Sequence, residues 1–437
     1  MNDQMKYVIV RCEDHAQGVE QTKALLDGAK ALHLQQLAQA GAAGLIGNPA
    51  SRARGRRGPK APTDRFGLHR ALLGVGPSDP EAAAGRCYAA SANIQLAPGD
   101  IAWCCDFVTQ RDGMIIDPTA GHITTKESEV LVQALDEQMG SDAQRWEVGR
   151  DSHHVLVVGD GSLAEGDGRA PLASPELLIS QAWQRHLPDG LVGDTLRAII
   201  EEASELLEEH PVNRVRVDLG ENPANLLWLW GGAPVEPHPA SAGWHPATTP
   251  RVGRHPAHAL EEAAPAGPRP KAVARWRVET RRTFRERTGL SGAMVSTDFL
   301  TRGLARTLGM EWKSGPVSLE EGPLHRAMKL LGGLVEEREF VYVHLRIESG
   351  DQVERLCAME RIDQLLLKPL TQLLPRLGEW RLLAVIDDRI GGAVPFIAIG
   401  TGLPQQPVVS LSPTSLAESP LRFADGPALF SWLTSRG

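Results

Sequence analysis

Long apolar runs are missing from this chain. No stretch approaches the roughly 18 consecutive apolar residues of a membrane span, and Met1 to Val10 has no apolar segment behind a basic patch, so neither spanning nor secretion is expected. The reading is of a cytoplasmic protein. An excess of basic residues is also missing: 46 Lys and Arg stand against 54 Asp and Glu, and the formal charge of -8 argues against a general nucleic-acid binder. Cysteine is scarce and irregular. The five, Cys12, Cys87, Cys104, Cys105 and Cys357, form neither an even disulfide framework nor paired CxxC knuckles for zinc, so reduced thiols are expected. The basic, Gly- and Pro-rich stretch from Pro49 to Pro62 matches no phosphate-cradling glycine pattern and reads as a surface loop.

What is present is a globular composition, 42% hydrophobic and 23% charged over 437 residues. That length suits two packed α/β domains, one inserted into the other. Lys6 to Val10 reads as a buried first strand that breaks into the polar loop Arg11, Cys12, Glu13, Asp14, His15. A helix ending at Gly41 follows, from the spacing of Leu25, Leu26, Ala29, Leu32, Leu34 and Leu37. Ile101 to Val108 and Met114 to Ile116, separated by Arg111-Asp112-Gly113, suggest a hairpin in the second domain, and His154 to Val158 adds a strand.

Asp194 to His210 has Leu196, Ile199, Ile200, Ala203, Leu206 and Leu207 on one stripe, an amphipathic helix that Pro211 ends. Leu226 to Trp230, apolar on both faces, reads as a strand in the parallel core sheet. Residues 233–271 are rich in Pro, Ala and His and read as an extended or disordered insertion, so His238, His245, His255 and His258 are taken as incidental rather than as metal ligands. Helix Thr297 to Leu308, strand Phe340 to Leu345, helix Val353 to Leu366 and strands Leu382 to Ile386 and Phe396 to Ile399 then alternate, which predicts βαβ units and a mostly parallel sheet.

Several segments resemble one family. HPVNRVRVDLGENPANLLWLWG (His210 to Gly231), with Asn213, Arg216, Gly220, Ala224 and Asn225 in step, is similar to the archaeal-type, cofactor-independent phosphoglycerate mutases. HRALLG (His69 to Gly74), Gly85-Arg86, LAPGDIAW and FVT (Leu96 to Thr109), AGHIT (Ala120 to Thr124), GLSGAMVSTDFLTRGLARTLGME (Gly289 to Glu311), FVYVH (Phe340 to His344), ERID (Glu360 to Asp363) and VPFIAIG (Val394 to Gly400) agree in the same order. The resemblance implies the alkaline phosphatase superfamily: a mostly parallel, metal-bearing α/β core with an inserted α+β cap. It also implies interconversion of 3-phosphoglycerate and 2-phosphoglycerate through a phosphoserine, with two divalent metals neutralising the transferred group. On this basis the core is placed at 1–85 and 216–437 and the cap at 86–215.

The chemistry of that family is poorly matched. The Asp-Gly expected after the first strand aligns with Arg11-Cys12, and Asp14 or His15 would have to substitute as metal ligand. Counting back from Gly74 puts Arg65 in the nucleophilic serine's place, and a slip of two puts Thr63 there, which is otherwise a helix cap. The site after FVYVH offers only Glu348 and Asp351. The next keeps Asp387, with Asp388 and Arg389 beside it and the shortened loop Ile390-Gly391-Gly392-Ala393 after it, and the expected histidine ligands are absent. In the cap, Cys104 and Asp106 stand where the family has Arg and Asn, Asp117 to His122 replaces an arginine-rich segment, and Ser152-His153-His154 keeps one histidine.

The expectation is therefore a family homologue without metal-dependent phosphoryl transfer, acting as a binding protein that holds no cofactor. Arg86, His153 and His69 are the candidate contacts to a small phosphorylated or carboxylate ligand, and a protein partner fits the same reading, with no nucleic acid and no membrane. The alternative is an active mutase using manganese or magnesium on Asp14, His15, Asp387 and Asp388 with Thr63 as nucleophile. A third reading is a different enzyme on the same scaffold, built on Cys12, activated by Arg11 and His15, or on the Cys104-Cys105 pair.

Overall fold

A computed structural model describes residues 4–14, 25–47, 65–76, 79, 82–159, 173–234, 282–348, 351–387 and 393–435. Thr63, His15, Asp388, Arg389, the basic stretch 49–62 and most of the Pro/His-rich insertion lie outside the described residues.

Thirteen strands are described: β1 (Lys6–Asp14), β2 (Ala42–Ile46), β3 (Ile101–Arg111), β4 (Met114–Asp117), β5 (Gln144–Arg150), β6 (His153–Val158), β7 (Leu226–Pro234), β8 (Gly292–Ser296), β9 (Glu311–Ser314), β10 (Phe340–Ile347), β11 (Trp380–Ile386), β12 (Val394–Gly400) and β13 (Arg422–Phe423). Eight form one sheet in the order β13-β2-β12-β11-β1-β10-β8-β9, parallel throughout except that β12 runs against both neighbours. This is the mostly parallel, helix-flanked α/β sheet predicted from the alternating elements. Helices surround it because its strands are apolar on both faces, as in Val8, Ile9 and Val10. One face packs on helices Leu32–Ala40, Glu321–Glu337 and Gln352–Ile362, the other on Arg65–Leu72 and Phe299–Thr307.

The second sheet is antiparallel, β4-β3-β6-β5, with β7 paired to the other edge of β3. The predicted hairpin is β3 and β4. Leu226 to Trp230, however, is not a parallel core strand. It lies antiparallel to β3 in the second sheet, with Leu227 opposite Phe107, so that sheet takes a strand from beyond residue 215. Its two-sided apolarity comes from helices on both faces, which a parallel strand would share. Two helix readings also change. Leu25 to Gly41 is a short turn, Leu25–Gly28, and a separate helix, Leu32–Ala40, while Pro211 opens a new helix, Pro211–Asp218, rather than only closing Leu191–Glu209. Among the described residues no helix is long and apolar enough to cross a membrane.

The residues that carry the family likeness most densely are scaffold. Asn213 binds the carbonyls of Leu207 and Ala224 (2.7 and 3.0 Å) and accepts from Ala224 N. Asn225 bridges both backbone groups of Gln110. Buried Arg216 donates to the carbonyls of Ala120, Gly121 and Asn222 and to Glu127, the acid that closes the capping box of helix Thr125–Met139.

Helices Ala84–Ala92 and Phe299–Thr307 cross with almost no space between them. A Cβ on Gly303 would lie 1.7 Å from the carbonyl oxygen of Cys87, so only glycine permits the contact. We expect Gly303→Ala to lower the unfolding free energy by about 1–3 kcal/mol in chemical denaturation. Gly333→Ala, on the exposed face of helix Glu321–Glu337 with nothing within 4 Å, should instead raise it by up to about 1 kcal/mol.

Candidate functional site

The parallel strands end in a cluster of buried charge. Strand β1 does not stop at Val10 but continues to Asp14, because each polar residue after Val10 finds a partner inside the fold. Alternation puts Arg11 and Glu13 on one face of β1, while Val8, Val10 and Cys12 line the other. Arg11 lies opposite His344 of β10 and Val385 of β11, and Glu13 opposite Arg346.

One nitrogen of Arg11 joins two carboxylates. Nη2 is 3.0 Å from Glu13 Oε2 and 2.9 Å from Asp387 Oδ2, with the arginine side chain wholly buried. Burial opposes its charge, but Glu13, Tyr342 and Asp387 outweigh that, and its pKa is raised above the ordinary arginine value.

Two imidazoles face the same Glu13 oxygen. His344 Nε2 lies 3.0 Å from Oε2 and His69 Nε2 3.7 Å, and both rings are buried. Their outer nitrogens are held by hydroxyls: His69 Nδ1 by Tyr342 (2.7 Å), His344 Nδ1 by Ser296 (3.0 Å), whose oxygen also accepts from Thr301 Oγ1. Burial, reinforced by Arg11, pushes the His69 pKa well below its usual value, which keeps that ring neutral. Glu13, His69 and His344 thus form a group of the types that ligate metals, with donor atoms all within 4.8 Å of one another.

Of the acids named from sequence as metal ligands, Asp387 is engaged by Arg11 and Asp14 by Arg355, whose Nε is 2.9 Å from Oδ1. Asp351 caps helix Gln352–Ile362, and Glu348 pairs with Arg346 at 3.1 Å. The trio Glu13, His69 and His344 was not assembled from the sequence, and it stands against the expectation that no cofactor is held. Its signal was the period of two: Glu13 shares a face with Arg11, and His344 ends the matched FVYVH segment.

Donor types alone do not make the trio a site for a dication. A metal bound to Glu13 Oε2 at about 2.1 Å would stand within about 5 Å of Arg11 Nη2. At an effective dielectric of about 20 the repulsion is about 7 kcal/mol. With Arg11 in place, the residues do not fit the divalent metals that the fold family implies.

A cleft of about 280 Å³ opens beside the cluster, lined in part by Thr297, His344, Arg346, Glu348 and Arg361, at the strand ends where open α/β sheets bind ligands. Arg346 pairs with Asp298 at 3.4 Å, and Asp298 caps helix Phe299–Thr307 through Thr301 N.

A second polar group lies in the antiparallel sheet. Buried Asp106 accepts from Trp230 Nε1 (2.6 Å) and holds His153 Nδ1 (2.9 Å), which is also 2.9 Å from the Tyr88 hydroxyl. The His153 ring, one quarter exposed, stacks on Phe299. His154 beside it is buried, which lowers its pKa to about 3. Arg86 is half-buried on helix Ala84–Ala92 and makes no ion pair among the described residues.

The cysteine reading is not supported. Arg11 was expected to activate Cys12, but the thiol points into the opposite face of the sheet and burial pushes its pKa up to about 12. Burial raises Cys104 and Cys105 well above the usual value as well.

A family model described as 2,3-bisphosphoglycerate-independent phosphoglycerate mutase matches residues 68–213. A protein of that name from Methanothrix thermoacetophila is 28% identical over 358 residues, 77% of each chain. The 2,3-bisphosphoglycerate-independent phosphoglycerate mutase 2 of Methanothermobacter thermautotrophicus is 26% identical over 418 residues, 91% of this chain and 89% of the other. The solved structure of a cofactor-independent phosphoglycerate mutase from Thermoplasma acidophilum shares the fold, with a TM-score of 0.52 and 22% identity over 98% of this chain and 99% of that one. A solved protein of Pyrococcus horikoshii shares it with a TM-score of 0.61 and 16% identity over 99% of each.

Burial alone would lower the His153 pKa, but Asp106 outweighs it and the value is raised. Its contribution to stability is therefore present below the unfolded histidine value, about 6.5, and is lost as pH rises through the folded pKa. Asp106→Asn should bring the His153 titration, followed by imidazole NMR, to lower pH and flatten that part of the stability profile. An unchanged titration would show that Asp106 does not set it.

Proposed function

Because this chain belongs to the cofactor-independent phosphoglycerate mutase family, we propose that it keeps the family's scaffold without metal-dependent phosphoryl transfer and acts as a binding protein for a small phosphorylated or carboxylate ligand. One observation carries the reading: a buried guanidinium, Arg11, bridges Glu13 and Asp387. A guanidinium offers no open coordination position and cannot lower a nucleophile's pKa as a bound dication does. For a ligand, the cleft beside the cluster is lined by Arg346, paired with Asp298 and Glu348, and by Arg361, paired with Glu320 and Glu354, and His153, whose pKa Asp106 raises, stands on the second sheet. Arginine forks suit carboxylate and phosphate oxygens.

The competing reading is an active mutase, consistent with the names of the relatives. It is favoured by Glu13, His69 and His344 converging on one point, a different donor set from the Asp14, His15, Asp387 and Asp388 first considered. The two readings differ in a simple measurement. Full-length protein expressed in manganese-supplemented medium should carry substoichiometric divalent metal by elemental analysis and should not interconvert 3-phosphoglycerate and 2-phosphoglycerate with manganese present. Stoichiometric metal together with turnover would overturn the proposal.

A further inference from the structure

We infer that Arg11 is a built-in replacement for a divalent cation and that it masks a metal site made by Glu13, His69 and His344, with Asp387 beside it. The inference rests on the functional reading above and deepens it, by saying what occupies the cation's place and what its removal would uncover.

Three observations lead to it. First, a single nitrogen, Nη2, is shared by carboxylate oxygens from two different strand ends, Glu13 Oε2 at 3.0 Å and Asp387 Oδ2 at 2.9 Å. Joining acids from separate strands at one point is what a metal ion does for a fold. Second, His69 and His344 present Nε2 to the same Glu13 oxygen, while Tyr342 and Ser296 hold their Nδ1 atoms. An outer hydrogen bond that sets the tautomer and aims the inner nitrogen is the arrangement of metal-ligating histidines. Two imidazoles with one carboxylate, their donor atoms within 4.8 Å of one another, form a donor set suited to zinc and to other first-row dications. Third, the guanidinium is anchored by Glu13 and Asp387. Arg11 also donates to the Tyr342 hydroxyl, and its side chain is fully buried in mid-sheet, between partners on β10 and β11. It is therefore part of the core and not a mobile side chain that a metal would displace.

The consequence is specific. With Arg11 present, a dication is repelled and its principal carboxylate ligand is already engaged. Shortening Arg11 removes the repulsion, leaves two buried carboxylates without their cation, and frees space between them and the imidazoles. A divalent metal then restores the charge balance. The folded state takes up metal where the unfolded chain holds no such site, so binding also stabilises the fold.

The test uses the full chain stripped with chelator, with Zn²⁺ or Mn²⁺ alone as the titrant in calorimetry and Co²⁺ absorption as a report of nitrogen and oxygen ligation. Arg11→Ala should bind one Zn²⁺ per chain at least about 100-fold more tightly than wild type, each tenfold corresponding to about 1.4 kcal/mol. Its thermal unfolding temperature, lowered by the substitution, should rise again with metal. Arg11→Met fills more of the cavity and serves if Arg11→Ala folds poorly. Adding His344→Ala to either variant should abolish both the binding and the rescue. If a folded Arg11 variant takes up no metal, or binds it equally well without His344, the inference is wrong while a metal-free, inactive wild type leaves the functional reading standing. If wild type itself binds stoichiometric metal that His344→Ala removes, both fail. If neither variant folds even in the presence of metal, the inference fails too, since a masked site predicts metal-dependent recovery.

Discussion

A single buried guanidinium holds together residues that the chain keeps hundreds of positions apart. Arg11 and Asp387 are separated by 376 positions and Glu13 and His344 by 331, yet all meet at the carboxyl ends of three adjacent parallel strands. Taking any one of these ions out of water costs several kcal/mol, so the arrangement persists only because the partners compensate one another. The register of the sheet makes this compensation possible. Pairing of β1 with β10 sets Arg11 beside His344, and pairing with β11 delivers the backbone amide of Asp387 to the carbonyl of Cys12 at 2.9 Å. A slip of one residue would turn Arg11 into the apolar face now filled by Val10 and Cys12.

That dependence explains what could be read from the sequence and what could not. Periodicity announced the amphipathic helix as Asp194 to His210, where the structure has Leu191–Glu209, together with the hairpin of β3 and β4 and the alternating elements that make the parallel sheet. The ordered likeness pointed to the right fold because its densest residues, Asn213, Arg216 and Asn225, tie backbone segments together and are constrained by geometry rather than by chemistry. Local pattern failed where the partner is remote. Four polar residues after Val10 look like a loop, since nothing nearby in sequence says that charges on β10, β11 and a distant helix will meet them. The same limit hid the trio of Glu13, His69 and His344. It also led Cys12 to be read beside Arg11, when alternation sends the two side chains to opposite faces of the sheet.

The two sheets are joined by one helix with several duties. At the start of Phe299–Thr307, Asp298 caps the helix and pairs with Arg346, while Thr301 reaches Ser296 and so the back of His344. Phe299 lies against both His153 and Tyr88 of the other group, and Gly303 permits the close crossing with helix Ala84–Ala92. The charged cluster of the parallel sheet and the Asp106-His153 pair of the antiparallel one are thus both contacted by this helix and its N-cap. A ligand that engaged Arg346 would act on Asp298, and through it on the helix that supports His153.

Replacing an exchangeable cation by a covalently attached one changes what such a site can do. A bound dication keeps a coordination position for water, a hydroxyl or a phosphoryl oxygen and draws electrons from whatever enters it. Arg11 can hold the same two carboxylates together, but its contacts are hydrogen bonds with a raised pKa behind them, so it neither releases a proton nor activates a nucleophile. It also cannot be lost to a chelator or to metal scarcity. Under the reading we propose, the structural service of the cation is retained without its chemical service, the combination expected of a scaffold kept for binding. The cleft that Arg346 and Arg361 help to line also takes in His344, so a ligand there would stand beside the residues that Arg11 and Glu13 hold in place.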